Sequence, residues 1–576
     1  MPDLTGTADA GYRAGKDFLK AGDLADARDH LTAMIAAWPD DARFHALLAF
    51  VYDREGNTAA GLNALIAALE IDDSVAARWQ ELWAYMRRAA LTPDRRRLLG
   101  LLARALQRDG IDHSDAERES QAQILTMFRR HPSPADMARW ASAEPNGSGD
   151  DPDGERDFLL VFLEHAPTTD CALEGQLTAL RRALLTLVST TAGHPAILEL
   201  TSALAIHCFR QEYVFSESDT EAALVEALLQ ATSARDPIRI AMAAAYRPLH
   251  SQAWARDLPQ AFAHHSSSRF ARLLKAQIRD HAQEAALRGM IPPLTPIGAG
   301  VSQAVRAQYE ENPYPRWHYL ATPRVETAAP KAIRRILIAG GGTGRQACVY
   351  AKAWPSADIW AVDLSLSSLA YGARMAKEYG FNNIRFFHGD ILQLGDVNAQ
   401  FERIVCDGVL HHLGDPERGL NLLRDKLTPG GRLQLSVYAA TGRVAILAGI
   451  ALRQRLGLPP TLAGIRKVRE AILALPPEDM AASITRYRDF FFTSECRDLL
   501  FHVQERTYTL NQLDALLARA RLKVMQLTLP ENGAALYRGQ NPHGDPDRDL
   551  AGWAEIEKEH IDLFGPMYAC NLALAD

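Results

Sequence analysis

The sequence predicts a multidomain protein of the α + α/β class, in which a helical repeat region precedes a mostly parallel, doubly wound sheet. Helical segments recur at a fixed offset in the first hundred residues, and Leu, Ala and Arg recur at helical spacing as far as residue 300. Past Arg334, short β-rich runs alternate with helices, which predicts a parallel sheet. The 576 residues therefore divide into four expected regions: repeats at 1–100, a helical domain at 101–300, an α/β domain at 301–535 and a C-terminal extension at 536–576.

The N-terminal part of the sequence contains a repeat. "GDLADARDHLTAMIAAWPD" begins at Gly22 and "GNTAAGLNALIAALEIDD" begins at Gly56, which aligns Ala27 with Gly61. This offset is the tetratricopeptide period of about 34 residues. A small residue, a leucine four positions later and then a helix breaker form the tetratricopeptide pattern, in which small residues let paired helices approach closely. We expect a third, decayed unit from about Ser74, and we expect the array to recruit a protein or peptide partner.

Composition and charge exclude several classes of protein. The net charge of −7 argues against a general nucleic-acid binder, and none of the six cysteines forms a CxxC pair. A disulfide scaffold, a zinc ribbon or another metal site is therefore not expected, and a reducing cytoplasm is favoured. The N-terminus has no signal peptide pattern, and the most apolar run, 444–452, is too short to span a membrane. The polar, Gly/Pro-rich stretch 142–157 predicts a mobile loop.

A glycine-dense loop follows the first predicted strand of the α/β domain. It contains Gly340, Gly341, Gly342 and Gly344. A P-loop is excluded because Arg345 and Gln346 stand where Lys and Ser or Thr are needed, and a dinucleotide fold is disfavoured because Arg345 replaces its third glycine. S-adenosylmethionine (SAM) remains, since glycines let the main chain pass close beneath a ribose and an amino acid. Asp363, at the end of the second strand, is placed to accept hydrogen bonds from both ribose hydroxyls.

The later strands add further candidates at their carboxyl ends. The third strand ends at Asp390, whose carboxylate suits an adenine amino group beside the apolar Ile391. The fourth strand ends near Asp407 and is followed by His411 and His412. Ligands of such sheets lie at these ends. The expected cofactor-binding residues are Gly340, Gly341, Gly342, Gly344, Asp363, Leu364, Asp390, Ile391, Tyr309 and Trp317.

These motifs carry a family resemblance. "IAGGGTG", "AVDLS", "GDI", "GVLHHL" and "LTPGG" resemble the class I SAM-dependent methyltransferases in order and spacing. "VRAQYEENPYPRW", "RDLLFHVQERTYTLNQL" and "WAEIEKEHIDLFGPMY" are similar to bacterial proteins that join tetratricopeptide repeats to such a domain. The resemblance implies a Rossmann-like fold, SAM as cofactor and methyl transfer (EC 2.1.1.-). The acid that the family usually has two residues before the loop is replaced by Ile338.

Catalysis of methyl transfer requires alignment of the acceptor and, in some cases, removal of a proton. His411 or His412 could take that proton near neutral pH, or one could pack under the loop while the other shapes the pocket. Asp407 could orient an acceptor amine or be a solvated acid at a strand end.

Two segments flank the expected site. Tyr309, Tyr314 and Trp317 could close over the cofactor, where an aromatic face favours a sulfonium cation, or form a latch between domains. An insert at about 440–508 is expected to act as a substrate lid. Its candidate acceptor contacts are Arg486, Arg488, Arg497 and His502. Beyond it, Thr509 and Gln512 predict a capping box on the last helix, which a closing strand follows.

The preferred function is methyl transfer from SAM to a protein or peptide recruited by the repeats. A small metabolite enclosed by the insert is one alternative. A scaffold that binds SAM without catalysis is another, and the isoleucine at position 338 favours it.

Overall fold

The computed structural model describes residues 7–89, 93–131, 133–143, 151, 153–190, 195–231, 236–320 and 333–575. The chain divides into two compact units. The first comprises Met1–Arg130, Pro145–Ala166 and Tyr319–Thr322, and the second comprises His131–Glu144, Pro167–His318 and Pro323–Asp576. The loop predicted at 142–157 lies partly outside the described residues, and its last part belongs to a helix that starts at Glu155.

The first unit consists of helices. Its described helices are α1 (Ala8–Ala21), α2 (Leu24–Ala37), α3 (Ala42–Arg54), α4 (Thr58–Ile71), α5 (Ala76–Ala89), α6 (Arg95–Gln107), α7 (Ser114–Arg129) and α9 (Glu155–His165). The helices α1, α3 and α5 start at Ala8, Ala42 and Ala76, so the period found in the sequence extends to a third unit. The boundary predicted at residue 100 falls inside α6, where the helix continues without interruption.

The small residues of the repeat lie where helices come closest. Ala27 of α2 is fully buried. A Cβ atom on Gly61 of α4 would lie 2.0 Å from the Tyr85 hydroxyl oxygen and 3.2 Å from the Ala49 carbonyl oxygen. Any larger side chain at Gly61 would therefore push α4 away from α3 and α5, which explains the small residue that the repeat pattern requires.

The second unit combines helices with one sheet. Its described helices are α8 (Pro134–Ala141), α10 (Cys171–Thr190), α11 (Pro195–Arg210), α12 (Asp219–Ala231), α13 (Pro237–Ala244), α14 (Leu258–Ala261), α15 (Ser268–Leu274), α16 (Asp280–Arg288), α17 (Val301–Glu311), α18 (Arg345–Ala353), α19 (Leu366–Glu378), α20 (Pro416–Asp425), α21 (Val444–Arg455), α22 (Leu462–Leu473), α23 (Thr493–Phe501), α24 (Leu510–Arg519), α25 (Gly533–Gln540) and α26 (Leu550–Glu557). The strands are β1 (Arg335–Ala339), β2 (Asp358–Asp363), β3 (Ile384–His388), β4 (Phe401–Asp407), β5 (Leu427–Tyr438), β6 (Leu522–Leu527) and β7 (Met567–Leu574). No described helix has both the length and the apolar character needed to traverse a bilayer.

Within the described residues the sheet has the order β3-β2-β1-β4-β5-β7-β6. Strands β1 to β5 pair in parallel, and β7 is antiparallel to both of its neighbours. Both faces are buried, because Leu337 and Ala339 contribute to one core and Ile336 and Ile338 to the other. The chain order reverses between β1 and β4, and ligands of such sheets lie at the carboxyl ends beside that reversal.

The C-terminal residues belong to the sheet, so the prediction that β6 is the closing strand is wrong. The capping box of Thr509 and Gln512 forms at the start of α24 as predicted, but α25, α26 and β7 follow β6. Strand β7 lies between β5 and β6, so the boundary predicted at residue 535 would separate an interior strand from its sheet. Strand order depends on pairing between distant segments, which local patterns in the sequence do not encode.

The insert at 440–508 is anchored to helices earlier in the second unit and is not a free lid. Arg469 of α22 donates a hydrogen bond of 2.6 Å to the Glu174 carboxylate of α10, and both groups are buried. The Gln211 side-chain amide donates to the Phe491 carbonyl oxygen at 3.0 Å. Buried ion pairs of this kind are costly to break, which holds the insert in one position.

We predict that Cys570→Pro prevents folding of the α/β domain, whereas Cys570→Ala folds. Cys570 is 2% exposed and pairs with Leu435 of β5 and Leu527 of β6. Proline in an interior strand removes a backbone donor and disrupts the ladder, while alanine removes only a sulfur atom. Solubility and thermal unfolding measured by circular dichroism test this. A Cys570→Pro variant that unfolds cooperatively at the temperature of the Ala variant would contradict an interior position for β7.

Candidate functional site

A cavity opens in the second unit at the carboxyl ends of β1, β2 and β4. Its volume is about 370 Å³, within the range of ~300–1,000 Å³ typical of small-molecule sites. Residues from the glycine loop, from α17 and the segment after it, and from the insert all line it. The cavity therefore lies at the position where parallel sheets of this topology bind ligands.

The glycine loop forms one wall of this cavity. The backbone N–H groups of Gly340 and Gly341 both donate to the Val362 carbonyl oxygen at 2.9 Å, which joins the end of β1 to β2. Gly340 has φ +79°, and a Cβ atom there would lie 2.3 Å from a methyl carbon of Val409. The loop thus presents bare main chain to the cavity, as the sequence predicts for Gly340, Gly341 and Gly342.

Gly344 has a different role from the one predicted. It has φ +77° and does not line the cavity. A Cβ atom on Gly344 would lie 2.8 Å from the Cα atom of Gly372 in α19. Gly344 therefore permits close packing of the loop on α19, and the structure does not place it in contact with the cavity.

Asp363 connects the loop to the end of β2. One carboxylate oxygen accepts from the Gly342 N–H and the other from the Ser365 N–H, both at 2.8 Å. Burial raises the pKa of Asp363, and these two N–H donors partly oppose that rise. Each oxygen keeps a further lone pair, so Asp363 can hold the loop and still accept a hydrogen bond from a ligand.

The end of β3 supplies the second predicted acid. Asp390 is 1% exposed and lines the cavity beside Ile391. Its two oxygens accept from the Leu392 N–H at 2.9 Å and from the Gly298 N–H at 3.0 Å. Leu364 lines the cavity as well. The structure therefore brings Leu364, Asp390 and Ile391 to the same cavity as the glycine loop.

The aromatic residues that precede the sheet are divided between two roles. Tyr309 and Tyr314 line the cavity, and their rings stack with centroids 6.3 Å apart. Trp317 does not line it, because its indole N–H donates to the Thr343 carbonyl oxygen at 2.9 Å behind the loop. Trp317 thus joins this segment to the glycine loop and lies outside the cavity lining.

The two histidines after β4 differ in environment. His412 lines the cavity, and its Nδ1 lies 2.8 Å from the Gln504 carbonyl oxygen, so Nδ1 carries the proton and Nε2 is an acceptor. Burial lowers the pKa of His412 to about 4. His411 is fully buried outside the cavity and stacks on Tyr438 at 3.6 Å, and within the described part of the chain neither ring nitrogen has a hydrogen-bond partner. The base role predicted for His411 has no access to a ligand.

His412, Asp498 and His502 lie within 4.8 Å of one another, a spacing that could suit a metal ion. The His502 Nδ1 accepts from the Gln504 N–H at 3.0 Å, so its Nε2 carries the proton and faces the Tyr309 hydroxyl at 3.2 Å. A protonated nitrogen cannot bind a metal. The Tyr309 hydroxyl in turn donates to Asp498 at 2.6 Å, so His502, Tyr309 and Asp498 form a hydrogen-bonded chain, and the His412 ring stacks on His502.

Asp407 lines the cavity at the end of β4 and accepts a hydrogen bond from the Gln346 side chain. Ile338, which stands in the place of the usual acid, is 1% exposed and packs in the core, away from the cavity. Arg497, which was expected to contact an acceptor, instead donates to the Glu311 carboxylate at 2.6 Å.

Three acids and one tyrosine of the insert are residues that sequence reasoning missed. Tyr487, Asp489, Glu495 and Asp498 line the cavity, whereas Arg486, Arg488, Arg497 and His502 do not. Every residue of α23 is buried, and Glu495, Asp498 and His502 follow at spacings of three and four. Charged residues that recur on one face of a buried helix could have indicated this site. Buried charges need a partner, which a bound ligand can supply.

Comparison with known proteins is consistent with this geometry. Residues 336–431 match the methyltransferase domain family, and residues 18–84 match the tetratricopeptide repeat family. The first match includes the glycine loop and runs from β1 into β5, and the second spans the helical repeat.

Three relatives illustrate the range of similarity. An uncharacterized protein of Synechococcus is 35% identical over 240 residues, which are 37% of this chain and 57% of the relative. A demethylmenaquinone methyltransferase of Thermus thermophilus is 32% identical over 118 residues, 20% of this chain and 52% of the relative. The structure of PKMT2 from Rickettsia typhi with AdoHcy has 18% identity and a TM-score of 0.34, covering 44% of this chain and 50% of that one. The chain thus spans about half the length of each.

The fold and the cavity define a Rossmann-like methyltransferase domain. The chain joins a tetratricopeptide-repeat region to this class I methyltransferase domain, which confirms the resemblance seen in the sequence. The cofactor is SAM, and the residues present fit it. The loop offers main chain that no Cβ obstructs, and Asp363 and Asp390 offer acceptor atoms.

We predict that Asp363→Asn weakens SAM binding about 10- to 100-fold, corresponding to ~1.4–3 kcal/mol. The amide must turn an N–H₂ group towards Gly342 or Ser365, both of which donate at this position. Calorimetric titration with SAM measures the effect. Asp358→Asn, at the start of the same strand and ion-paired with Arg385, is the control and should bind SAM normally. Equal affinities for the two variants would contradict an anchoring role for Asp363.

We predict that His412→Asn lowers methyl transfer less than about 10-fold. A pKa of about 4 makes the neutral ring a weak base at pH 7, whereas loss of a general base typically costs ~10²–10⁴-fold. Asparagine can retain the hydrogen bond to the Gln504 carbonyl oxygen. Initial rates with radiolabelled SAM test this, with His543→Gln on the surface as the control. A loss above 100-fold without a change in SAM affinity would establish His412 as the base.

Proposed function

We propose that this protein transfers a methyl group from SAM to a protein or peptide that the tetratricopeptide region recruits. The observation that carries the proposal is the cavity at the carboxyl ends of β1, β2 and β4, where bare main chain and the carboxylates of Asp363 and Asp390 meet. The match of residues 336–431 to the methyltransferase domain family supports the reaction class.

When bound, SAM supplies a methyl group that its sulfonium already activates. The residues of the chain then have to bind, orient and exclude water. Gly340, Gly341, Gly342, Asp363 and Asp390 are proposed to hold the cofactor. Leu364, Ile391 and Tyr309 are proposed to pack around it. Asp407 and His412 lie on the same cavity and are available to orient the acceptor.

The repeat region supports a macromolecular acceptor. Tetratricopeptide arrays bind peptides along extended surfaces formed by stacked helices. Three units of this chain follow the repeat period, enough for such a surface.

A small-metabolite acceptor is the second candidate. Curated relatives include a demethylmenaquinone methyltransferase and a ubiquinone biosynthesis O-methyltransferase of Paracidovorax citrulli, the latter 25% identical over 160 residues. The anchored insert also provides a fixed wall that could enclose such a molecule without help from the repeats. The buried Ile338 favours the third candidate, a scaffold that binds SAM without transfer.

Labelling with tritiated SAM and an extract of the source cells tests these candidates. We expect radioactivity in the acid-precipitable macromolecular fraction, from which protease treatment releases it, and we expect the Asp363→Asn variant to lose it. Label confined to small molecules would support the metabolite candidate. SAM binding by calorimetry with no label in any fraction would support the scaffold.

A further inference from the structure

The charge of the cavity is negative. Among the described residues, six acidic side chains and two arginines line it. Asp363 and Asp390 accept backbone hydrogen bonds beside the glycine loop, and Asp407 ends β4. The other three acids, Asp489, Glu495 and Asp498, come from the insert. An anionic ligand would be repelled here, whereas a cation would be stabilised.

Glu495 is the acid whose environment is incomplete. Its side chain is 6% exposed and lines the cavity, and its Oε2 atom has no hydrogen-bond partner in the part of the chain that the structure describes. The Arg488 Nε lies 3.8 Å from Oε2, too far for a hydrogen bond. A buried carboxylate oxygen without a donor is costly, so this atom is suited to a donor supplied by a ligand.

Tyrosines surround the neighbouring acid. The Tyr309 hydroxyl donates to one oxygen of Asp498 at 2.6 Å, and the Tyr438 hydroxyl lies 3.4 Å from the other. With Tyr314 and Tyr487, four tyrosines of the described chain line the cavity. Aromatic faces next to carboxylates attract cations that carry apolar substituents, because the ring quadrupole adds to the charge attraction.

The two lining arginines do not neutralise this region. Arg443 is 2% exposed, pairs with Glu505 outside the cavity at 2.8 Å and stacks over Tyr438 at 3.5 Å. Arg345, the first residue of α18, is exposed to solvent, where screening weakens its attraction to Glu495. Glu495 is ion-paired with Arg488, whose side chain is half exposed and 3.8 Å away, so solvent screens this pair and Glu495 keeps capacity for a further cation.

We propose that this side of the cavity binds a primary ammonium group, that of a lysine side chain, and that methylation occurs on its nitrogen. The inference rests on the proposed function and specifies its acceptor. The ammonium donates to Glu495, with Asp489 and Asp498 supplying charge, and the alkyl chain lies between the tyrosine rings.

Methylation of the lysine nitrogen requires that the ammonium first lose one proton. The ammonium gives a proton to the Glu495 carboxylate, and the neutral amine keeps the electron pair. That pair forms the new nitrogen–carbon bond to the methyl group while the carbon–sulfur bond breaks and sulfur retains its electrons. Burial raises the pKa of Glu495 to about 8, so this group is largely protonated at pH 7 until a bound cation stabilises the carboxylate; once ionised, it is a better proton acceptor than His412, whose pKa burial lowers to about 4.

The position of the label tests the inference. We expect radioactivity from tritiated SAM to withstand alkali and to co-elute with N-methyl-lysines after acid hydrolysis of the labelled protein. Label that alkali releases would indicate a methyl ester and would overturn the inference. Alkali-stable label on an oxygen, sulfur or carbon atom would overturn it as well.

A matched pair of variants tests the role of Glu495. We expect Glu495→Gln to raise the KM for the acceptor at least 10-fold with unchanged SAM affinity, and Glu495→Asp to recover part of the loss. Glu478→Gln, an exposed acid of the same insert, should behave like the parent protein. A merely structural role would lower the thermal midpoint without this KM effect. If Glu495→Gln weakens SAM binding by the same factor, the carboxylate serves the cofactor and the assignment is overturned.

A binding measurement separates this inference from the proposed function. Nα-acetyl-lysine methylamide and the corresponding norleucine derivative are titrated by NMR into the full-length protein saturated with S-adenosylhomocysteine. We expect the amine to bind at least 10-fold more tightly. If no acceptor is ever labelled, the proposed function fails, yet this preference would still identify an ammonium site. Equal affinities for the two probes would overturn the site itself.

Discussion

The turn between β1 and α18 is the constraint on which the rest of the methyltransferase domain depends. Asp363 joins this turn to the end of β2 by accepting from both Gly342 and Ser365. Gly344 then lets the loop pack on Gly372 of α19. These contacts keep side chains out of the space above the strand ends, so the topological switch point becomes a cavity and not a packed core.

The segment before the sheet is fastened to the same turn. Trp317 donates to the Thr343 carbonyl oxygen, and the Glu310 carboxylate accepts from the Leu366 N–H at 2.7 Å at the start of α19. Tyr309 is thereby held over the cavity, where its hydroxyl contacts Asp498 of the insert. Hydrogen bonds from Tyr309 to Asp498 and from Arg497 to Glu311 thus join the segment that precedes the sheet to the segment that follows β5, and one wall of the cavity is formed between them.

Much of the fold follows from local patterns. The repeat period, the glycine loop and the acids at the ends of β2 and β3 were all predictable because each depends on residues close together in the sequence. The capping box at Thr509 is of the same kind. The interior position of β7 was not predictable, because a strand whose residues alternate in burial can occupy either the edge or the interior of a sheet. Its pairing with both β5 and β6 determines the position. His411 and Trp317 lie outside the cavity lining, which was not predictable because the sequence does not tell which side of a loop a side chain faces.

The sequence by itself determined the fold class, the glycine loop and the acid at position 363, because main-chain conformation and strand periodicity are encoded over short distances. The tertiary structure alone decided which side chains of the insert line the cavity. Glu495 and Asp498 are distant from the glycine loop in the chain and face the same cavity because contacts such as the Arg469–Glu174 ion pair hold the insert against earlier helices. Arg488 and Arg497 stand next to acids of the insert in the sequence but do not line the cavity. The charge of the cavity therefore depends on which side chains the folded structure directs towards it.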